Sequence, residues 1–258
     1  MTDDHMTSRP VRQAFVTGGS GFVGRNLIAA LRAKGVVVRA LVRSASGALT
    51  VERGGAEAIH GDLDDVTALT EGMHGCDVVF HVAAKTGDWG NKDDFYRANV
   101  TGTENVLAAA RAASVSCLVH VSTEAVLLGG GPIVQVDESR PLPAHPLGLY
   151  AQTKGLAEQA VLAANAPGAF ETIVVRPRFI WGKDDTNILP RLIQMIQSGS
   201  FQWIDQGRYL TSTTHVDNVC EGLLLAAEHG RGGAIYFITD GEPVEFRTFL
   251  TAMLRTQG

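Results

Sequence analysis

The chain has 258 residues, of which 45% are hydrophobic and 19% charged, and this composition is ordinary for a globular protein able to bury a full core. The net charge is −5, from 22 basic and 27 acidic residues, without a basic run or stripe, which argues against nucleic acid as a partner. Neither a signal peptide nor an apolar run of membrane length is visible, so we expect a cytoplasmic protein with no membrane span.

A glycine-rich turn follows the first predicted strand, which is the apolar run at residues 14–16. A helical pattern begins directly after it, at Phe22 and Val23. Three glycines have the spacing G-x-x-G-x-x-G, namely Gly18, Gly21 and Gly24. In dinucleotide-binding folds the first suits a tight turn, the second lets the backbone approach a pyrophosphate and the third lets helix and strand pack closely. With the free N–H groups of a helix start, this turn predicts a dinucleotide site that includes Phe22 and Val23.

The second predicted strand, residues 36–42, is followed by Arg43 and Ser44. In dinucleotide folds an acidic residue near this strand end binds the ribose 2′-hydroxyl, whereas an arginine accommodates a 2′-phosphate. Because no acidic residue is present here, Arg43 favours NADP(H), with NAD(H) kept as the alternative. A solvated surface arginine is the plainer interpretation of the same residue.

Strands and helices continue to alternate as far as Pro177. The predicted elements are a strand at 56–60, a helix from Val66 to Met73, a strand at 77–82, a helix at 93–113, a strand at 117–121, a loop at 129–148, a helix at 149–164 and a strand at 172–176. This alternation predicts a parallel sheet with helices on both faces. Ligands of such sheets bind beyond the carboxyl ends of the strands. We therefore expect one crevice to be lined by the residues at those ends, which are Gly18, Arg43, Asp62, Ala83 with Ala84, Thr123 and Pro177.

Beyond Pro177 the pattern loosens. The elements predicted there are a helix at 188–197, a strand at 201–204, a helix at 215–227, a strand at 234–238 and a helix at 246–255. We accordingly expect a disordered tail at 1–11, a nucleotide-binding core at 12–178 and, at 179–258, a substrate-binding region interleaved with the last core strand and helices.

Tyr150 and Lys154 lie four residues apart on a predicted helix, so they share one face. A free tyrosine has a pKa of about 10, and a nearby ammonium favours the phenolate. We therefore expect Lys154 to lower the pKa of Tyr150 toward the operating range of an acid/base. Ser122 and Thr123 end the preceding strand and could supply a hydroxyl. A surface pair without a catalytic role is the alternative.

Five motifs together resemble the extended short-chain dehydrogenase/reductase family. They are residues 17–24, Asp62-Leu63, residues 99–103, Ser122-Thr123 and residues 150–154, in an order that covers nearly the whole chain. The resemblance implies an α/β fold with a Rossmann-type doubly wound parallel sheet. It implies that Tyr150 is the acid/base, that Lys154 holds the nicotinamide ribose and tunes Tyr150, and that Thr123 rather than Ser122 orients the reacting oxygen.

The same resemblance implies further contacts and an assembly. Asp62 and Leu63 would contact the adenine, and Pro177 would lie by the nicotinamide. Family members are often dimers through the two crossover helices, so a homodimer is expected by analogy. Extended members run well past 258 residues, so we expect either an abbreviated C-terminal substrate lobe or a sequence that ends early.

Departures from the family pattern indicate the branch. Nucleotide-sugar dehydratases carry an acidic pair after the threonine, but here Glu124 is followed by Ala125. Epimerases usually show Val-Tyr-Gly after the hydroxyl residue, whereas this chain has residues 126–129, Val-Leu-Leu-Gly. Residues 176–182 and 214–218 resemble the 3β-hydroxysteroid dehydrogenase group and related β-keto-acid reductases. We therefore predict an NAD(P)-dependent oxidoreductase for a secondary alcohol or ketone on an apolar substrate, steroid-like or 3-oxoacyl.

Two other functions stay open at this point: a nucleotide-sugar epimerase with retained NAD, and a non-catalytic nucleotide-sensing protein. Four aromatic residues could wall an apolar pocket or simply fill a core, namely Trp89, Phe179, Trp181 and Trp203. No metal is expected, because the histidines lack ligand spacing. His215 with Asp217 and the pairs at 64–65 and 184–185 are interpreted as structural, and the three cysteines as buried, reduced thiols.

Overall fold

Strands and helices alternate in the computed structural model, which describes residues 8–87, 89–129, 131–186 and 188–256. The strands up to residue 177 are β1 (Gln13–Thr17), β2 (Val37–Val42), β3 (Glu57–His60), β4 (Val78–His81), β5 (Cys117–Val121) and β6 (Glu171–Pro177). The helices between them are α1 (Phe22–Ala33), α2 (Ala45–Arg53), α3 (Val66–Met73), α4 (Lys92–Phe95), α5 (Gly102–Ala112) and α6 (Gly148–Ala163). Every strand predicted in this part is present, whereas α2 was not predicted.

The rest of the chain forms a small lobe and one further sheet strand. Its elements are β7 (Ile180–Trp181), α7 (Ile188–Gln197), β8 (Leu210–Thr211), β9 (Thr214–His215), α8 (Val216–His229), β10 (Ile235–Ile238), β11 (Val244–Glu245) and α9 (Phe246–Arg255). The strand predicted at 201–204 is wrong, because Phe201 and Trp203 pack against each other edge-to-face at 4.9 Å and lie outside every strand.

Seven parallel strands form the main sheet in the order β10-β6-β5-β4-β1-β2-β3. The strand order reverses direction between β1 and β4, which are hydrogen-bonded neighbours with Thr17 opposite His81. The Rossmann-type doubly wound class is therefore confirmed. The carboxyl ends of β1, β4, β5 and β6 meet at one edge, and this edge carries the predicted site.

The sheet separates two hydrophobic cores. Ala14 and Val16 belong to the core shared with α1 and α8, and Phe15 belongs to the opposite one, shared with α3, α5 and α6. This alternation follows from the period of two along a strand. Phe15 is fully buried, and burial of such a side chain stabilises the fold by about 1.5–3 kcal/mol.

Two segments depart from the predicted pattern in ways that affect the site. The predicted helix at 93–113 contains a π-helical stretch, Tyr96–Thr101, between α4 and α5. Of the predicted tail, residues 1–7 lie outside the described residues, but Arg9 donates its backbone N–H to Glu228 O at 2.9 Å and forms an ion pair with Glu171. Ordered packing onto α8 therefore begins before residue 12.

Two further features concern the cysteines and the character of the helices. All three cysteines, Cys76, Cys117 and Cys220, are buried free thiols, as predicted. Within the described residues, no helix has both the length and the apolar character that crossing a membrane would require.

Candidate active site

The glycine turn after β1 is shaped by contacts that leave no room for side chains at two of its three glycines. Gly18 has a φ of +71°, and a Cβ there would lie 2.7 Å from Ala83 N. A Cβ on Gly24 would overlap the Gly18 carbonyl oxygen and lie 2.7 Å from Gly19 Cα. Gly21 differs, because its φ of −79° suits any residue and its Cβ would meet only Gly18 O, at 3.3 Å. The space beside Gly21 fits the role of admitting a ligand's phosphates.

Helix α1 begins at this turn without a side-chain cap and without an acidic residue in its first turn. Its first N–H groups and positive dipole end therefore suit a diphosphate. Phe22 is 2% exposed and packs in the core, and Val23 packs against the same core. The contribution predicted for these two residues thus rests on their backbone N–H groups.

A cavity of about 290 Å³ lies at the carboxyl ends of β2 and β3. It is lined by Val42, Arg43, His60, Gly61, Asp62 and Asp65. The structure thus brings Arg43 and Asp62 together, as expected for the adenosine end of a dinucleotide. Arg43 is exposed, and Ser44 caps α2 by accepting a hydrogen bond from Gly47 N at 3.2 Å. Leu63 is half-buried beneath Gly102. A Cβ added to Gly102 would lie 2.8 Å from Leu63 Cδ1.

Thr123 and Tyr150 meet at the end of β5. The Thr123 side chain forms a hydrogen bond with the Tyr150 phenol, and its Oγ1 also accepts from Ala125 N at 3.2 Å. Burial raises the pKa of Tyr150 to about 12, and the Thr123 hydrogen bond opposes this shift only in part. The expected lowering of the Tyr150 pKa by Lys154 is therefore not found: burial, which disfavours the phenolate, is the largest influence, and Lys154 is not among the groups that shift it.

Lys154 is buried one helical turn from Tyr150 and is directed at β5. Its Nζ donates to Val121 O at 2.8 Å and lies 3.0 Å from His120 Nε2. Burial lowers the pKa of Lys154 to about 7, although the charge of Glu158 acts in the opposite direction. The ammonium is thus engaged with the strand, which explains why it does not act on the phenol.

A buried hydrogen-bonded chain that the sequence did not reveal fixes His81 at the end of β4. Thr103 donates to Asn99 O at 2.7 Å, so its Oγ1 must accept from His81 Nε2–H, at 2.9 Å. His81 Nδ1 then accepts from Thr17 Oγ1 at 2.8 Å, and Thr17 Oγ1 accepts from Ala83 N at 3.2 Å. Burial, and then the charge of Lys154, lower the pKa of His81 to about 3. The neutral imidazole therefore joins the glycine turn to the segment Ala83-Ala84, whose two residues are half-buried at the crevice.

The π-helical stretch carries Asn99 inward to α6, the helix of Tyr150 and Lys154. Asn99 Nδ2 donates to Thr153 Oγ1 at 3.0 Å, and Thr153 donates to Leu149 O at 2.7 Å. Asn99 is 2% exposed, and Thr153 is the immediate neighbour of Lys154. The sequence contained the signal, because residues 99–103 formed one of the five motifs, but it gave Asn99 no role.

A fully buried ion pair underlies the hydroxyl at the end of β5. Glu158 Oε2 accepts from Ser122 Oγ at 2.7 Å and from Arg176 Nε at 3.0 Å. Both charged side chains are 1% exposed, and Arg176 lies over the Phe237 ring at 5.5 Å. The Ser122 hydroxyl is therefore engaged with the buried Glu158, whereas the Thr123 side chain meets Tyr150.

The end of β6 carries Pro177, which is buried, and then Arg178. Arg178 forms an ion pair with Glu124, with 2.7 Å between Nη1 and Oε2, and donates Nε–H to Thr211 Oγ1 at 2.9 Å. Glu124, which follows Thr123, is thus paired with Arg178, which follows Pro177.

The aromatic residues of the C-terminal lobe pack with one another. Phe179 contacts Phe249 at 5.5 Å, Trp181 contacts the same ring at 5.5 Å, and Trp203 contacts Phe246 at 6.2 Å. Three of the four predicted residues therefore form one cluster, but Trp89 does not join it and is 86% exposed.

Three of the polar candidates interpreted as structural accept hydrogen bonds at helix starts. Asp65 accepts from Ala68 N at 2.9 Å, Asp185 accepts from Leu189 N at 2.9 Å, and His215 Nδ1 accepts from Asp217 N at 3.3 Å. Within the part of the chain that the structure describes, no group of three or more His, Cys, Asp or Glu side chains could hold a metal ion.

Comparisons with known proteins agree with this geometry. The model of the 3-beta hydroxysteroid dehydrogenase/isomerase family matches residues 15–258. The 4-hydroxy-2-methyl-3-oxo-4-farnesyl-3,4-dihydroquinoline-1-oxide ketoreductase of Stigmatella aurantiaca is 61% identical over 246 residues, which are 95% of this chain and 73% of the relative. The 2-alkyl-3-oxoalkanoate reductase of Shewanella oneidensis is 34% identical over 260 residues, with coverage of 96% and 67%.

The fold has counterparts among solved structures. DesIV, a dTDP-glucose 4,6-dehydratase from Streptomyces venezuelae with NAD bound, aligns with a TM-score of 0.80 and 25% sequence identity, over 95% of this chain and 81% of that one. The resemblance in fold therefore extends to a protein that holds a nicotinamide dinucleotide.

Proposed function

The chain belongs to the 3-beta hydroxysteroid dehydrogenase/isomerase family, and from that premise we propose which residues carry its chemistry and in which direction it works. It is a short-chain NAD(P)-dependent dehydrogenase/reductase that acts on the keto or hydroxy group of an apolar substrate. We propose that Tyr150, Thr123 and Lys154 are its catalytic residues and that it reduces ketones.

The contact between Tyr150 and Thr123 carries this proposal. A phenol with a pKa of about 12 stays protonated at neutral pH, so Tyr150 is prepared to donate a proton to a carbonyl oxygen that is becoming an alcohol. Thr123 orients that oxygen through the hydroxyl that now contacts the phenol. When bound, the nicotinamide supplies the hydride that completes the reduction at carbon.

Lys154 supports the reaction by its place on the same helix. Its Nζ now contacts Val121 O and His120. We propose that the flexible side chain rotates when the dinucleotide binds and brings the ammonium to a ribose hydroxyl. The glycine turn, the uncapped start of α1 and the Arg43–Asp62 cavity suit the rest of the dinucleotide. Arg43, with no acidic residue at the end of β2, favours NADP(H).

The aromatic cluster of the lobe supports an apolar substrate. Phe179 and Trp181 follow Pro177 in the chain and pack with α9, so the aromatic side chains begin two residues beyond the end of β6. The ketoreductase relative is named for a farnesylated quinoline oxide. We propose a substrate of that kind, with a ketone on a ring that carries an apolar chain.

The test is substitution of Tyr150→Phe, which removes one oxygen. Turnover of ring ketones, 3-oxo esters and sterol ketones with NADPH should fall by roughly 10²–10⁴-fold, while the nucleotide dissociation constant stays within about twofold. Tyr236→Phe, on β10 at the far edge of the sheet, is the matched control and should keep full activity. Full turnover by the Tyr150→Phe enzyme would defeat the assignment.

A further inference from the structure

A buried histidine that the proposed chemistry leaves unused lies against Lys154. His120 belongs to β5 and is fully buried, and its Nε2 lies 3.0 Å from Lys154 Nζ. Because an ammonium only donates hydrogen bonds, Nε2 accepts and the imidazole carries its proton on Nδ1. Within the described residues that Nδ1 has no hydrogen-bond partner, so the contact with Lys154 is the one side-chain hydrogen bond that His120 makes there.

The surroundings of His120 keep its ring neutral and in place. Burial, and then the charge of Lys154, lower the pKa of His120 well below its ordinary value, so Nε2 is an acceptor at neutral pH. His81 is the register partner of His120 on β4, and the centres of the two rings lie 5.1 Å apart. Both nitrogens of His81 are already bonded, to Thr17 and Thr103. His120 is therefore the histidine that is left to receive the lysine.

The position of Lys154 depends on this acceptor. The ammonium is fully buried, and its other partner is Val121 O at 2.8 Å. Glu158, one turn further along α6, is held by Arg176. Without His120 the ammonium would keep one neutral carbonyl, and a buried charge with too few partners is costly. The hydrogen bond to His120 therefore stabilises the position in which Lys154 lies against β5.

We propose that His120 is a positioning residue that retains Lys154 against β5 in the nucleotide-free protein, and that the dinucleotide ribose draws the ammonium away from it. This inference rests on the proposed function, because it takes Lys154 as the residue that binds the ribose. A site whose binding-competent form is only partly populated shows an affinity reduced by that fraction. His120 thus holds the empty site in order and weakens nucleotide binding.

The experiment measures nucleotide binding by calorimetry, with NADPH or NADH, whichever binds the wild type more tightly. His120→Leu removes the acceptor, and the dissociation constant should fall about tenfold, because the hydrogen bond that opposes binding is one to a charged group. His120→Gln, whose amide oxygen can accept from Nζ, should bind nucleotide about as the wild type does. Lys154→Met should bind it at least tenfold more weakly.

A double-mutant cycle tests whether the effect passes through the lysine. In the Lys154→Met protein, adding His120→Leu should leave the dissociation constant within about twofold. A tenfold change in that background overturns the proposal. So does equal or weaker nucleotide binding by His120→Leu alone, which is expected if Lys154 keeps both contacts with β5 and uses its third N–H for the ribose.

A measurement on the wild type decides the matter if His120→Leu does not fold. With 15N-labelled histidine, the Nε2 resonance of His120 should move on saturation with nucleotide toward its position in nucleotide-free Lys154→Met, and an unmoved resonance overturns the proposal. Wild-type nucleotide affinity in Lys154→Met would overturn it together with the role of that lysine. Failure of the proposed reduction would instead appear as full activity of Tyr150→Phe.

Discussion

Asn99 and Lys85 are joined by two hydrogen bonds of opposite direction: Asn99 Oδ1 accepts from Lys85 N at 2.7 Å, and Asn99 Nδ2 donates to Lys85 O at 3.0 Å. One side-chain amide thus satisfies both backbone groups of a residue in the loop after β4. Since Nδ2 also reaches Thr153, Asn99 couples that loop to the helix of Tyr150 and Lys154.

Replacing Asn99 with alanine should destabilise the protein and slow turnover. Three hydrogen bonds of a buried group would be lost, and we expect the free energy of unfolding to fall by about 2–3 kcal/mol in urea titrations. Asn105→Ala is the control, because Asn105 donates one hydrogen bond, to Leu63 O at 2.9 Å, and should cost about 1 kcal/mol. Equal losses in the two variants would refute the coupling role.

Two alanine substitutions in the glycine turn should separate folding from binding. Gly24→Ala places a methyl group against the Gly18 carbonyl and 2.7 Å from Gly19 Cα, so we expect a large drop in melting temperature, because backbone atoms cannot easily retreat. Gly21→Ala meets only one atom, at 3.3 Å, and should fold normally while binding nucleotide at least tenfold more weakly. Nucleotide titrations check this, and wild-type affinity in Gly21→Ala would contradict a diphosphate at that turn.

Arg43→Ala should change the choice of cofactor. We expect the dissociation constant of NADPH to rise about tenfold or more, because a charge-assisted contact to a 2′-phosphate is lost, and that of NADH to change little. Arg53→Ala, at the exposed end of α2, is the control and should leave both constants as they are. Wild-type protein that bound NADH at least as tightly as NADPH would remove the role given to Arg43.

His81 should make the protein sensitive to acid. Its pKa is about 3 in the folded protein and 6.5 ordinarily, so between those values the unfolded chain binds the proton and the folded one does not. Stability contributed by this group is therefore complete above pH 6.5 and is lost as the pH falls. Between pH 7 and pH 5 the loss is on the order of 2 kcal/mol.

Denaturant titrations of His81→Gln at both pH values check this. Glutamine does not titrate. Between pH 7 and pH 5 the free energy of unfolding of the His81→Gln protein should therefore fall by about 2 kcal/mol less than that of the wild type. His120, whose pKa burial also lowers, contributes to acid sensitivity in both proteins. His145→Gln, at an exposed residue, should match the wild type. An identical pH dependence in His81→Gln would show that the histidine is not buried neutral.

The sheet was predictable because its strands are short apolar runs that are followed by glycine, proline or small polar residues. Residues 14–16, 117–121 and 172–176 illustrate this, and each is buried on both faces. Helix α2 escaped prediction because its nine residues include Gly47 and carry only a weak apolar stripe. At 201–204 the alternation of aromatic and other residues suggested a strand. In the structure Trp203 instead packs on Phe246 and Arg247, outside any strand.

Individual site residues were predictable by type, but their partners were not. The Tyr150 and Lys154 spacing indicates a shared helix face, yet only the fold shows that Lys154 turns to His120 and that burial raises the pKa of the phenol. Likewise Glu158 and Arg176, or Glu124 and Arg178, are distant in the chain, and one sequence does not reveal which charges will pair. Buried polar groups find partners across elements, so their identity depends on topology.

The seventh strand of the main sheet comes from beyond residue 230, so residues 12–178 do not contain the whole sheet. Excision after residue 178 would strip β10 from β6, expose a row of unpaired peptide groups and remove Phe237 from the buried guanidinium of Arg176. Engineers who wish to graft a different substrate lobe onto this scaffold should therefore retain α8 and β10 and exchange only the segments that flank them.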